Sequence, residues 1–166
     1  MPSTRLVIAD DHRMFRQGPR ELIERKTDFV IVGEASTGIE ALEQANTLQP
    51  DIMLLDIQMP GLDGVAVARQ LAQTQPNIKL IILTMYRNDQ HVIEAIKAGV
   101  RGYLLKDADA EELIAVLERV RRGEAALDPA ITAGVFDEIR RQETSPTPRW
   151  RRPRRSPARR GASSRA

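Results

Sequence analysis

Short apolar runs alternate with amphipathic stretches of helical period along most of this chain. The runs are rich in Val, Ile and Leu, as expected for strands that are covered on both faces. They occupy residues 6–9, 29–32, 52–55, 80–83 and 103–105. The predicted helices lie near residues 13–26, 38–48, 64–73, 89–98 and 109–122. Strict alternation predicts βαβ units with right-handed crossovers, and therefore a doubly wound α/β fold built on a parallel sheet.

Four of the predicted strands end in residues with reactive or metal-binding side chains. Asp10 and Asp11 follow the first run, and Asp56 follows the third. Thr84 ends the fourth run and Lys106 follows the fifth. Because the carboxyl ends of parallel strands share one edge of the sheet, we expect these side chains to meet in one acidic pocket.

Three carboxylates, one ammonium and one hydroxyl suit a divalent metal and a phosphoryl group. Neighbouring carboxylates repel one another, so that either a pKa rises or a cation neutralises them. Mg²⁺ prefers oxygen ligands, usually one or two carboxylates with waters and phosphate oxygens. Lys106 supplies a mobile positive charge for a phosphoryl oxygen or for Asp56. Each residue alone would be an N-cap, a turn residue or a surface lysine, and only their combination predicts the site.

The composition is that of one globular domain with a tail, since 42% of the 166 residues are hydrophobic and 29% are charged. The chain has no cysteine, which excludes disulfides and thiolate metal sites. No apolar stretch reaches the length of a signal peptide or a transmembrane helix. We therefore expect a cytoplasmic protein without a membrane partner.

The net charge of +2 is unevenly distributed. Residues 149–166 contain eight arginines and no acidic residue, so the other 148 residues carry 17 basic and 23 acidic side chains. The predicted globular part is acidic, and the basic tail alone gives no reason to expect that the domain binds nucleic acid.

Several motifs agree in order and spacing with one known family. VIADDH, LLDIQMPGLDG, ILT and GYLLKD resemble the receiver domain of two-component response regulators over about residues 4–123. The sequences of the second and fourth motifs are most similar to those of the NarL/FixJ-type subfamily. The resemblance implies a flavodoxin-like, five-stranded parallel sheet of order 2-1-3-4-5 with five helices. We expect a receiver domain (1–123), then a linker (124–143) whose pattern predicts a helix, and then an Arg/Pro/Ser-rich tail (144–166) whose composition predicts disorder.

The resemblance also implies a reaction at Asp56, which would accept a phosphoryl group from the phosphohistidine of a sensor histidine kinase. Asp11 would bind Mg²⁺ directly, Asp10 largely through metal-bound water, and Gln58 through its backbone carbonyl. Lys106 would stabilise phosphoryl charge. The expected protein is a phosphorelay component rather than a turnover enzyme.

Thr84 and Tyr103 match the family's switch pair, in which the hydroxyl moves to the phosphoryl group and the ring turns inward. The switch would remodel the face formed by residues 88–122, which is also the predicted homodimer face.

The end of the chain departs from the NarL-type pattern, which usually continues with a helix-turn-helix DNA-binding domain. Thr147, Pro148 and Arg149 match the opening of such a domain, but Trp150 stands where an acid is expected. No helix-turn-helix pattern follows. We hypothesise that the reading frame was lost near Arg149, in which case DNA binding is not expected. Alternatively, the tail is a genuine basic segment that binds nucleic acid electrostatically.

Two other functions would use similar residues, but the sequence argues against each. A metal-dependent phosphohydrolase with an aspartate nucleophile typically has a second Asp two residues later, where this chain has Gln58. A flavin- or nucleotide-binding module needs small residues after the first strand, whereas Asp10 and Asp11 would repel phosphate without a metal. His12 lacks a partner pattern for metal binding, and we expect it at the surface or at a helix terminus.

Overall fold

A computed structural model describes residues 3–85, 88–127 and 129–144. Strands and helices alternate through this part of the chain. The strands are β1 (Arg5–Ala9), β2 (Val30–Ala35), β3 (Ile52–Leu55), β4 (Lys79–Thr84), β5 (Gly102–Leu105) and β6 (Ala126–Leu127). The helices are α1 (Arg13–Lys26), α2 (Gly38–Leu48), α3 (Gly64–Thr74), α4 (Asp89–Lys97), α5 (Ala110–Arg121) and α6 (Pro129–Thr144).

All strands pair in parallel in one sheet of order β2-β1-β3-β4-β5-β6. The first five follow the predicted order 2-1-3-4-5. The predicted count of five strands and five helices was wrong, because the described residues also contain β6 and α6 beyond α5; α6 lies in the segment predicted as a helical linker. β6 has only two residues, Ala126 and Leu127, and it joins the sheet edge through the bond from the Ala126 amide to the Arg101 carbonyl (2.8 Å). Two residues cannot show the alternation that identifies a strand from sequence.

The sheet lies between two layers of helices. Successive strand residues point to opposite faces, so Leu6 and Ile8 belong to one core while Val7 and Ala9 belong to the other. Helices α1 and α5 cover the first face, and α2, α3, α4 and α6 cover the second. Both faces of the sheet are therefore buried, as the continuous apolar runs predict.

Among the described residues, four helices begin at a side-chain cap that accepts a hydrogen bond from a backbone N–H of the first turn. These N-cap residues are Thr37, Asp63, Asn88 and Asp109. Helix α1 differs, because its N-cap His12 makes no such bond with its side chain. The imidazole at the start of α1 is thus available to the neighbouring carboxylates.

The predicted disordered tail falls almost wholly on residues 145–166, which lie outside the described residues. The division into receiver, linker and tail therefore remains a prediction. Within the described residues, we find no helix that combines the length and the apolar character needed to span a bilayer.

Candidate functional site

The carboxyl edge of the sheet brings the predicted pocket residues together. The backbone amide of Asp10 donates to Ala35 O, and that of Asp56 donates to Ala9 O, both at 2.9 Å. These bonds hold the two aspartates side by side just beyond β1 and β3. Lys106 follows β5, and its Nζ lies 2.5 Å from Asp10 Oδ2 and 3.1 Å from Asp56 Oδ2. The lysine therefore bridges the two carboxylates, as the strand-end pattern predicts.

The three side chains are almost fully removed from solvent. Those of Lys106 and Asp56 are each 4% exposed and that of Asp10 is 5% exposed. Burial raises the pKa of Asp56, Lys106 opposes this shift, and Asp10 adds to it. One buried ammonium against two buried carboxylates leaves an excess of negative charge. An additional cation in the pocket would keep Asp56 ionised.

The acidic cluster has the donor atoms that a hard divalent cation requires. One ligand atom each of Asp10, Asp11, His12 and Asp56 lies within 4.8 Å of the others. Asp11 Oδ1 is shielded from solvent and accepts no hydrogen bond from any described residue. His12 Nδ1 is 2.9 Å from this oxygen, an ion pair only when the ring is protonated. A carboxylate oxygen without a donor, in a pocket of excess negative charge, fits Mg²⁺.

The loop between β3 and α3 keeps the Asp56 carboxylate at the pocket. The Gln58 amide lies 3.4 Å from Asp56 Oδ1, and the Gly64 amide donates to Ile57 O at 2.9 Å. Gly61 turns the chain with a positive φ of 76°. A Cβ on Gly64 would lie 2.3 Å from the Asp56 carbonyl oxygen. Only glycine lets the start of α3 approach Asp56 this closely.

Thr84 and Tyr103 lie on the neighbouring strands β4 and β5. Thr84 is 3% exposed, and its carbonyl accepts a 2.7 Å hydrogen bond from the Lys106 amide. Tyr103 is fully buried, and its hydroxyl has no hydrogen-bond partner among the described residues. Burial, helped by the charges of Asp56 and Asp89, raises the pKa of Tyr103 to about 12. The Tyr103 ring therefore lies buried in the core on the face of the sheet that α2, α3, α4 and α6 cover.

Three residues that the sequence did not assign to the pocket also contact it. His12 is helix-terminal and largely exposed, as predicted, yet its Nδ1 also lies within 3.6 Å of Asp10 Oδ1. The Phe15 ring centroid is 4.3 Å from Lys106 Nζ. Arg16 donates through Nη1 to the Asp10 carbonyl and through Nε to Glu34 Oε1. These contacts depend on the residue at which α1 begins, and only that position could have indicated them in the sequence.

A family model described as the response regulator receiver domain matches residues 6–118. The uncharacterized transcriptional regulatory protein YhcZ of Bacillus subtilis (strain 168) is 39% identical over 138 residues, which cover 83% of this chain and 64% of that protein. The nitrate/nitrite response regulator protein NarL of Escherichia coli (strain K12) is 37% identical over 139 residues, covering 84% of this chain and 64% of that protein. The chain thus spans somewhat less than two thirds of the length of these relatives.

A solved structure shows the same fold. The two-component response regulator of the LuxR family from Aurantimonas sp. SI85-9A1 has a TM-score of 0.78 and 31% sequence identity, over 83% of this chain and 99% of that one. Together with the matched receiver model and the arrangement of strands, this similarity identifies the family. The chain belongs to the response regulator receiver family, and its relatives are response regulators of the NarL and LuxR type.

Proposed function

We propose that this chain accepts a phosphoryl group on Asp56 from the phosphohistidine of a sensor histidine kinase, in a Mg²⁺-dependent phosphorelay. The observation that carries the proposal is the position of Lys106 Nζ between Asp10 Oδ2 (2.5 Å) and Asp56 Oδ2 (3.1 Å). It places a buried cation beside the carboxylate that would carry the phosphoryl group.

In the proposed step, a carboxylate oxygen of Asp56 attacks phosphorus and forms the new P–O bond. The P–N bond to the kinase histidine breaks, and its electron pair stays on the imidazole nitrogen. Lys106 retains Asp10 and turns from Asp56 toward a phosphoryl oxygen, so the negative charge on the transferred group is balanced. Such transfers depend mainly on positioning and electrostatic stabilisation.

Asp10, Asp11, Asp56 and the backbone carbonyl of Gln58 are the groups that we propose to hold Mg²⁺. When bound, this cation would neutralise charge on the transferring phosphoryl group. Asp11 is the strongest candidate for a direct ligand, because its Oδ1 is shielded and accepts no hydrogen bond from a described residue. Hydrolysis of the aspartyl phosphate by water would return Asp56 to its starting state.

Thr84 and Tyr103 are the proposed readout of phosphorylation. The Thr84 hydroxyl would donate to the phosphoryl group, and the buried Tyr103 ring would move with it. Helix α6 packs against α4 and so covers part of the face over residues 88–122. A homodimer through this face would use the part that α6 leaves uncovered.

Of the two bacterial relatives, YhcZ is named a transcriptional regulatory protein and NarL a response regulator protein. We propose transcription-regulator ancestry and a cytoplasmic setting for this chain, because it matches them over its receiver part. A transcriptional output would require residues outside the described part.

The function is tested by incubating the protein with Mg²⁺ and acetyl phosphate and measuring acyl phosphate on the intact chain. We expect labelling of the wild type, none for Asp56→Asn, and unchanged labelling for Asp107→Asn. Asp107 is an exposed carboxylate beside Lys106 and serves as the matched control. Labelling of Asp56→Asn at the wild-type level would refute the assignment.

A further inference from the structure

Phe15 lies against the charged end of Lys106. The ring stands in the first turn of α1, and its centroid is 4.3 Å from Lys106 Nζ. His12 packs edge-on against the same ring, with centroids 5.5 Å apart and planes at 89°. Phe15 is 37% exposed, whereas the Lys106 side chain is 4% exposed. The ring therefore separates the Lys106 ammonium from solvent.

The surroundings of Lys106 Nζ are complementary to a cation on three sides. The ammonium has three N–H donors and no acceptor. Asp10 and Asp56 contact it from the pocket. An aromatic face attracts a cation but offers it no lone pair, so the Phe15 ring holds the charge without competing for the phosphoryl group. A water molecule in the same place would compete with the phosphoryl group for the Lys106 ammonium.

We propose that Phe15 is a positioning residue for phosphoryl transfer, holding Lys106 Nζ toward Asp56 through contact with the ring face. This inference rests on the proposed function, because it assigns Phe15 a role in that same reaction. The ring keeps the ammonium desolvated and in place while Lys106 changes partner from carboxylate to phosphoryl oxygen. Removal of the ring admits water to Lys106 and lets its side chain turn away from the pocket.

Substitutions at two neighbouring positions separate this role from simple packing. Phe15→Leu keeps an apolar side chain of similar size but removes the aromatic face, whereas Phe15→Trp keeps the face. Met14 precedes Phe15, is 84% exposed and provides the matched control Met14→Leu. A merely apolar contact would be preserved in Phe15→Leu, and a cation–π contact would not.

The test measures the rate of acyl phosphate formation with Mg²⁺ over a range of acetyl phosphate concentrations. We expect Phe15→Leu to lower the maximal rate about three- to tenfold while the half-saturating donor concentration stays nearly unchanged. Phe15→Trp should remain within about twofold of the wild type, and Met14→Leu should be unaltered. A maximal rate for Phe15→Leu equal to that of the wild type would overturn the role of Phe15.

Fluorinated phenylalanines at position 15 provide a second series that hardly changes the shape of the ring. Each added fluorine weakens the negative face, so the maximal rate should fall stepwise from phenylalanine to the trifluorinated ring. A flat series, in protein with an unchanged unfolding midpoint, would overturn the proposal even if Phe15→Leu failed to fold. If the wild type itself formed no acyl phosphate, the proposed function would fail and the role of Phe15 with it. A labelled wild type with a flat series would refute the role of Phe15 alone.

Discussion

Lys106 balances the charge of two carboxylates that are nearly inaccessible to water. A buried ion pair adds little net stability, but removing one partner leaves an uncompensated charge, at a cost of about 3–5 kcal/mol. Here one ammonium serves both Asp10 and Asp56. The loss of Lys106 should therefore weaken the fold most where both carboxylates are ionised.

We expect Lys106→Met to lower the free energy of unfolding by about 3 kcal/mol at pH 7. The cost should be smaller at pH 4, because burial raises the pKa of Asp56 above its ordinary value of 3.8 and a protonated Asp56 no longer needs the ammonium. Urea unfolding at both pH values measures this. Lys97→Met, at an exposed position in α4, should change the free energy by less than about 0.5 kcal/mol. An equal cost of Lys106→Met at both pH values would contradict the account.

Tyr103 should make the folding stability depend on pH at the alkaline rather than the acidic end. Its pKa is raised from 10.0 to about 12 in the folded protein, so folding favours the neutral phenol. The contribution to stability is complete below pH 10 and is lost as the pH rises from 10 toward 12. We expect the wild type to lose on the order of 2 kcal/mol relative to Tyr103→Phe across that window.

The same variant tests the hydroxyl that lacks a partner among the described residues. At pH 7, Tyr103→Phe should be as stable as the wild type or more stable by about 1 kcal/mol, because an unsatisfied buried group is removed. A large loss of stability would show that the hydroxyl has a hydrogen-bond partner. Chemical denaturation at a series of pH values covers both expectations.

At the scale of elements, the approach of α3 to β3 sets the position of Asp56. Gly64→Ala would place a Cβ 2.3 Å from the Asp56 carbonyl oxygen. We expect it to cost about 1–3 kcal/mol and to slow phosphorylation of Asp56, because the backbone must shift. Gln70→Ala, exposed on the same helix, should change stability by less than about 0.5 kcal/mol. If the two variants were equally stable and equally reactive, the close approach would have no role.

The sequence predicts the meeting of Asp10, Asp56 and Lys106 because only strand order and polarity are needed to place them. Parallel strands bring their carboxyl ends to one edge whatever the side chains in between. The contact of Phe15 with Lys106 depends instead on the residue at which α1 begins. A shift of one residue turns a helical side chain by about 100°, which is beyond the accuracy of a boundary read from sequence.

For a related reason the sequence does not predict β6, and it predicts α6 (Pro129–Thr144) only as a helical linker at residues 124–143, without its packing. β6 pairs only Ala126 and Leu127 with β5, and its place at the sheet edge follows from the end of α5 rather than from its own pattern. Helix α6 has only a few apolar residues facing the body, among them Ile131 and Val135. Its packing on α4 could be seen only in three dimensions.

At the scale of the whole molecule, α6 joins the core that covers one face of the sheet. Ile131 is fully buried in that core, whereas Phe136 on the same helix is 60% exposed. If α6 unfolds together with the α/β body, Ile131→Ala should lower the free energy of unfolding by about 2–4 kcal/mol. Phe136→Ala should cost less than about 1 kcal/mol. A separate early transition in urea, with an unchanged main midpoint for Ile131→Ala, would show that α6 is not part of the cooperative unit.

The central claim, that Asp56 accepts the phosphoryl group, is tested most directly by locating the modified residue. Borohydride reduces an aspartyl phosphate to homoserine, which peptide mass spectrometry identifies by position. We predict homoserine at position 56 after treatment with acetyl phosphate and Mg²⁺, and none when EDTA removes the metal. Homoserine at any other position, or its formation without a divalent metal, would contradict the account.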